Sequence, residues 1–154
     1  MIFYVDGACS GNGTDHATGG FGVIGVNNNE VEYQYSEYST DTTNNREELK
    51  AILHVMKNFG MPPDEQWMYD EPIVYSDSAY SINTYNDWMF RWRGNEWKRA
   101  NGHIPENLDL IKEYYDLYQK GYRINLQKIK GHTGDFWNEF VDKIAKGKGI
   151  EVKN

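Results

Sequence analysis

Three strand-like runs in the first forty residues, followed by a regular alternation of helix-like and strand-like segments, leave few architectures open to this chain. IFYVD (2–6), FGVIGV (21–26) and EVEYQYSEYS (30–39) are separated by Gly- and Asn-rich stretches, and Asn27 to Asn29 form a hairpin turn between the second and third runs. In TTNNREELKAILHVMKNFG, residues Leu49, Ile52, Leu53 and Met56 recur at helical spacing, and Gly60 is suited to ending that helix. Pro62 and Pro63 open a polar loop before PIVYSD. Then come the helical SAYSINTYNDWMFRW and IPENLDLIKEYYDLYQKG, the strand RINLQKIKGH and the amphipathic GDFWNEFVDKIAKG. The pattern predicts an α/β fold: a mixed sheet of three antiparallel strands and two more joined through helical crossovers, with helices on its faces.

No repeat, linker or low-complexity stretch divides the sequence, so residues 1–154 are expected to form a single domain, a length sufficient for one core. The one cysteine, Cys9, excludes an intramolecular disulfide, and no apolar stretch approaches bilayer length. The expectation is a cytoplasmic protein with no membrane partner, acting as a monomer. Residues 1–87 hold 14 acidic side chains against Arg46, Lys50 and Lys57, a net −11, whereas residues 88–154 carry a net +4. Such a chain is electrically polar. Its basic part can meet a polyanion, because the potential at the contact surface matters more than the total charge. Two solvated faces that differ by chance give the same counts.

Asp6 and Asp77 each stand where a short apolar run stops, so two strands would deliver carboxylates to one sheet edge. Clustered carboxylates are unfavourable unless protons or cations neutralise them, and hard divalent ions with oxygen ligands do so. Each acid also has a local reading. Asp6-Gly7 is a common turn pair, and Asp77 is a candidate N-cap for a helix starting at Ser78. Glu48 is placed to complement a helix dipole or to form a capping box with Asn45. Helical phase nevertheless puts Glu48 about 90° from the centre of the apolar stripe, at the edge of the buried face. Asp142 points away from the stripe Trp137, Phe140, Val141 and Ile144, as a solvated side chain does.

DGACSGN, TTNNREEL, YSDS and KGHTGDFWNEFVDKIA, in that order and spacing, resemble the type 1 ribonuclease H family from Asp6 to about Ala145. The resemblance implies the ribonuclease H-like fold, a five-stranded mixed sheet with strands 1–3 antiparallel, strands 1, 4 and 5 parallel, and helices on both faces. It implies endonucleolytic cleavage of the RNA strand of RNA–DNA hybrids, with 5′-phosphate and 3′-hydroxyl ends, and a role in removing primers and hybrids during replication. Asp6, Glu48, Asp77 and Asp142 would then be the catalytic carboxylates, holding two Mg2+ ions with substrate bound, with Mn2+ as a substitute. His132, in a Gly-flanked loop, would assist proton transfer or product release.

For substrate, the resemblance assigns Cys9, Asn12 and Asn44 to the minor groove, where 2′-hydroxyls distinguish RNA from DNA. Thr43 and Asn107 match a phosphate pocket on the DNA strand. Asp41 stands where that pocket commonly carries an arginine, and Ala79 where some members place a glutamine. Trp88, Trp92 and Trp97, interleaved with Arg91, Arg93, Lys98 and Arg99, resemble the family's basic protrusion, while the four-residue spacing of Trp88 and Trp92 equally suits packing between helices. The chain starts at its first strand, so binding is expected to rest on this domain alone.

Overall fold

The computed structural model describes residues 1–11, 17–60, 71–129 and 136–147. Five strands, β1 (Ile2–Ser10), β2 (Thr18–Asn27), β3 (Glu30–Thr40), β4 (Ile73–Ser76) and β5 (Asn125–Lys128), form one sheet in the order β3-β2-β1-β4-β5. β1 pairs antiparallel with β2 and parallel with β4, β2 pairs antiparallel with β3, and β4 pairs parallel with β5. The expected topology is therefore present. Asn28 and Asn29 take φ of 53° and 65°, the paired left-handed geometry of a tight hairpin turn.

Alternation along the central strands explains why helices cover both faces. Phe3 and Val5 of β1 and Phe21 and Val23 of β2 point to one side, where they pack with Leu49, Ile52 and Met56 of α1 (Asn44–Phe59) and with Ile111 and Tyr114. Tyr4, Ile24 and Val26 point the other way and meet Trp137, Phe140, Val141 and Ile144. Between β4 and β5 the chain runs through α2 (Ala79–Asn83), a π-helical turn (Thr84–Trp88), α3 (Met89–Gly94) and α4 (Leu108–Gln119); α5 (Phe136–Ala145) follows β5. The hydroxyl of fully buried Tyr114 donates to the Leu49 carbonyl at 3.1 Å, fastening α4 to α1.

Two helix ends depart from the local sequence readings. Thr43 caps α1, its hydroxyl accepting from the Arg46 N–H at 3.1 Å, so Glu48 is not part of a capping box with Asn45. Ser78, not Asp77, caps α2 by accepting from the Ser81 N–H. Both carboxylates are thereby released from helix-end duties. Gly60 does end α1, though with φ −59°. What requires glycine there is space, since a Cβ would lie 2.8 Å from the Tyr122 carbonyl carbon.

Gly7 makes the approach on which the site depends. A Cβ at this position would stand 2.4 Å from the Glu48 nitrogen and 2.9 Å from the Glu47 Cβ. Helix α1 thus rests directly on the β1 backbone, one residue beyond Asp6. Gly7→Ala is expected to lower unfolding free energy by about 1–3 kcal/mol, the usual cost of overpacking, and to displace Glu48. Denaturant unfolding measures the first effect; a variant as stable as the parent would show that the helix moves freely at this point.

Candidate metal centre

The register of β1 and β4 determines which acids meet. Tyr4 lies beside Tyr75, their rings stacked 5.4 Å apart on the α5 face, and two residues further along each strand stand Asp6 and Asp77. Period-two geometry puts both carboxylates on that face, at the end where the strands part. Glu48 comes from the opposite layer. Its Oε1 accepts the Gly7 backbone N–H at 3.1 Å, so it reaches over the strand end instead of extending into solvent. Ligand oxygens of Asp6, Glu48 and Asp77 lie within 4.8 Å of one another; Asp6 and Glu48 are buried and Asp77 is exposed.

Asp142, from α5, completes the cluster from the side. It hydrogen-bonds with Asp6, and its Oδ2 also receives Lys146 Nζ at 3.0 Å. The four acids open into a cleft of about 510 Å³, also lined by Cys9, Asn44, Asn45, Tyr80 and Lys146. Burial, the neighbouring Glu48, the hydrogen bond with Asp142 and the charge of Asp77 push the Asp6 carboxyl up to about 10. Burial and Asp77 push Glu48 to about 8, against hydrogen bonds from Asp6 and Gly7 that favour its ionised form. The donor set fits a hard divalent cation. It consists of carboxylate oxygens, it leaves an open side for water and phosphate, and its proton affinity reports a charge deficit that a cation would fill.

The remaining expected residues divide by what they touch. Cys9 lines the cleft half-buried, its thiol donating to the Thr42 carbonyl at 3.5 Å; burial and Glu47 push that thiol up, keeping it protonated. Thr43 is occupied as a helix cap. Asn107 adopts φ 63°, donates to the Tyr80 hydroxyl at 3.1 Å and accepts from Arg46 Nη1 at 3.2 Å. Arg46 also forms a two-pronged ion pair with Asp109, at 3.0 and 2.8 Å. Asp41 is exposed with φ 52°, a conformation that Asp tolerates better than most residues. Ala79 lines the cleft. Asn12 and His132 lie outside the described residues.

The tryptophans are half-buried and spend much of their surface on packing. Trp88 meets Trp92 at 5.6 Å and the edge of Tyr80 at 6.1 Å, while Trp97 stands edge-on to Tyr115 at 5.6 Å under Lys112. Arg91 pairs with Asp87 at 3.0 Å and Arg93 lies over the Tyr115 ring, whereas Lys98 and Arg99 extend from an exposed turn. Packing thus accounts for the aromatic half of this stretch. Its cations remain at the surface.

Sequence reasoning passed over Glu47, Tyr80, Arg46 and Lys146. Glu47 is fully buried, accepting from Thr42 and Lys50, and ties the first turn of α1 to the end of β3, where Lys50 also reaches Ser39. The available signal was spacing: Lys50 lies three residues from Glu47 and Lys146 four from Asp142, both within reach on one helix face.

The family model described as RNase H matches residues 1–149. A ribonuclease H of Syntrophomonas wolfei is 38% identical over 147 residues, covering 95% of this chain and 93% of its own length. One of Acetivibrio thermocellus is 37% identical, covering 94% and 91%. Among solved structures, LC9-RNase H1, a type 1 RNase H with the type 2 active-site motif, superposes with a TM-score of 0.72 at 26% identity, over 96% of this chain and 72% of that one.

The raised proton affinities imply a stability signature with a definite sign. Cation-free folded protein binds more protons than unfolded chain between the ordinary values, 3.8 for Asp6 and 4.5 for Glu48, and the folded values near 10 and 8. Stability is therefore fully present below the ordinary values and falls as pH rises through that window. In EDTA, Asp6→Asn should melt higher than the parent at pH 8.5 and show a smaller loss of Tm from pH 5 upward. Equal melting profiles in the two proteins would show that Asp6 carries no such strain.

Proposed function

We propose, for a chain that belongs to the RNase H family and is by that membership a ribonuclease, a hydrolase of phosphodiester bonds, that the acidic cleft cuts the RNA strand of RNA–DNA hybrids internally, leaving 5′-phosphate and 3′-hydroxyl ends. The observation that carries this reading is the convergence of Asp6, Glu48 and Asp77 oxygens within 4.8 Å, beside Asp142, in an open cleft. With substrate bound, these four would hold two magnesium ions, with manganese as a substitute. Such ions supply an activated water and neutralise charge on the departing 3′ oxygen.

The chain's own residues position the substrate. Asn44 and the β1 backbone at Cys9 line the cleft beside the acids, where they would meet 2′-hydroxyls across the minor groove, the chemical difference between the two strands. Thr43 and Asn107 would receive a phosphate of the DNA strand. Asn107 is held in place by Tyr80 and Arg46, while the carboxylate of Asp41 weakens that subsite. Arg91, Arg93, Lys98 and Arg99 would follow the DNA backbone through charge alone, on a platform that the tryptophans stiffen. Asn12 keeps the minor-groove role, and His132 the role in proton transfer or product release, that the family motifs give them. In this reading residues 1–154 act as one catalytic domain, working as a monomer in the cytoplasm to clear primers and hybrids during replication.

A strand-labelled RNA–DNA hybrid, with RNA–RNA and DNA–DNA controls, tests the reading in magnesium and in EDTA. Expected is cutting of the hybrid's RNA strand alone, abolished by EDTA and lowered on the order of 100-fold or more in Asp77→Asn, in keeping with the several kcal/mol that metal-held charge supplies. Cutting of DNA, or near-parental turnover by Asp77→Asn, would refute it. For the basic stretch, replacing Arg91, Arg93, Lys98 and Arg99 with Ala should raise KM and flatten its salt dependence, each lost phosphate contact reducing the slope by about one. An unchanged slope would leave those cations without a role in binding.

A further inference from the structure

Lys146 occupies an unusual place for a cation. Its backbone N–H donates to the Asp142 carbonyl at 3.1 Å, continuing the turn of α5 and setting its side chain one turn beyond Asp142 on the same face. Nζ meets Asp142 Oδ2 at 3.0 Å. Among the described residues lining the cleft it is the one lysine or arginine, against four carboxylates. It also lines an adjoining groove of about 1070 Å³, together with Ser10, Tyr38 and Ser39, and both spaces share Ala8 and Cys9. The ammonium group therefore stands at a boundary, with room to leave on its far side.

We propose that Lys146 is a built-in counter-cation for Asp142, which a divalent ion must displace into the adjoining groove before it binds on the Asp142 side of the cleft; this lysine thereby sets how many ions the site holds. The inference rests on the metal-site reading above and deepens it. One divalent ion on Asp6, Glu48 and Asp77 leaves that triad with a single negative charge, while the Asp142–Lys146 pair is neutral. The attraction for a second ion is then weak until Lys146 moves. Lys143 is exposed on the same helix and does not line the cleft, so its charge lacks this effect.

Manganese titration of the substrate-free protein, followed by calorimetry and by electron paramagnetic resonance, tests this without reference to turnover. In Lys146→Met the second ion should bind roughly two- to five-fold more tightly, the factor that a partly exposed ion pair allows. Lys146→Arg and Lys143→Met should behave as the parent does. In an Asp142→Asn background Lys146→Met should bring no gain. In EDTA, Lys146→Met should also melt lower than the parent, because the Asp142 charge is then unmasked beside Asp6. A second ion bound no more tightly in Lys146→Met, or tightened equally by Lys143→Met, overturns this inference alone. Failure of the parent to bind manganese at all overturns the metal-site reading and this inference with it.

Discussion

Direct contact between α1 and the β1 backbone at Gly7 governs the geometry of this molecule. With no Cβ between them, the helix settles deeply enough for the Glu48 carboxylate to take the Gly7 N–H at 3.1 Å. That bond compensates part of the cost of burying an acid whose nearest neighbours are also acids. Behind it, Glu47 pairs with Lys50 and accepts from the Thr42 hydroxyl, both through Oε2, which fixes the same helical turn against β3. One helix turn thus holds two buried glutamates, one with a cation of its own and one without. The difference separates a structural staple from a site that attracts metal.

The cleft stores unfavourable electrostatics that the rest of the fold sustains. Asp6 is held at raised proton affinity by burial and by Glu48, and Glu48 by burial and by Asp77, on a scaffold whose core packs both faces of the sheet. Perturbed proton affinities of this kind concentrate at functional sites. Of the four acids, Asp77 is exposed and Asp142 half-buried while Asp6 and Glu48 are buried, so the cluster opens on the side of Asp77 and Asp142. Lys146 stands on that side.

The Trp- and Arg-rich stretch shows how one segment serves packing and surface charge together. A π-helical turn from Thr84 to Trp88 lies between α2 and α3, and Tyr85 within it and Met89 directly after it are both buried. Trp88 comes to rest against Tyr80, which lines the acidic cleft and bonds Asn107. The aromatic side chains stiffen the platform, and the cations project from it. Affinity drawn from such cations depends on ionic strength rather than on base sequence.

The sheet was legible in the sequence because its information is local: period-two runs, a paired-Asn turn and the 3.6-residue stripe of α1 each report their own conformation. The carboxylates were legible as strand-end acids, and Glu48 by its helical phase, although Asp142 stood out only through motif spacing. Local reading failed where two roles competed for one residue. Asp77 and Glu48 resembled helix caps until Ser78 and Thr43 were seen to fill those places. Nor did sequence decide whether the tryptophans pack or grip, because that depends on Tyr80 and Tyr115, brought in from other helices. The residue types and their order settled the fold and the chemical repertoire of this chain. Tertiary structure alone decided which acids share a charge and which cation faces them, because electrostatic coupling follows distance in space and is blind to separation along the chain.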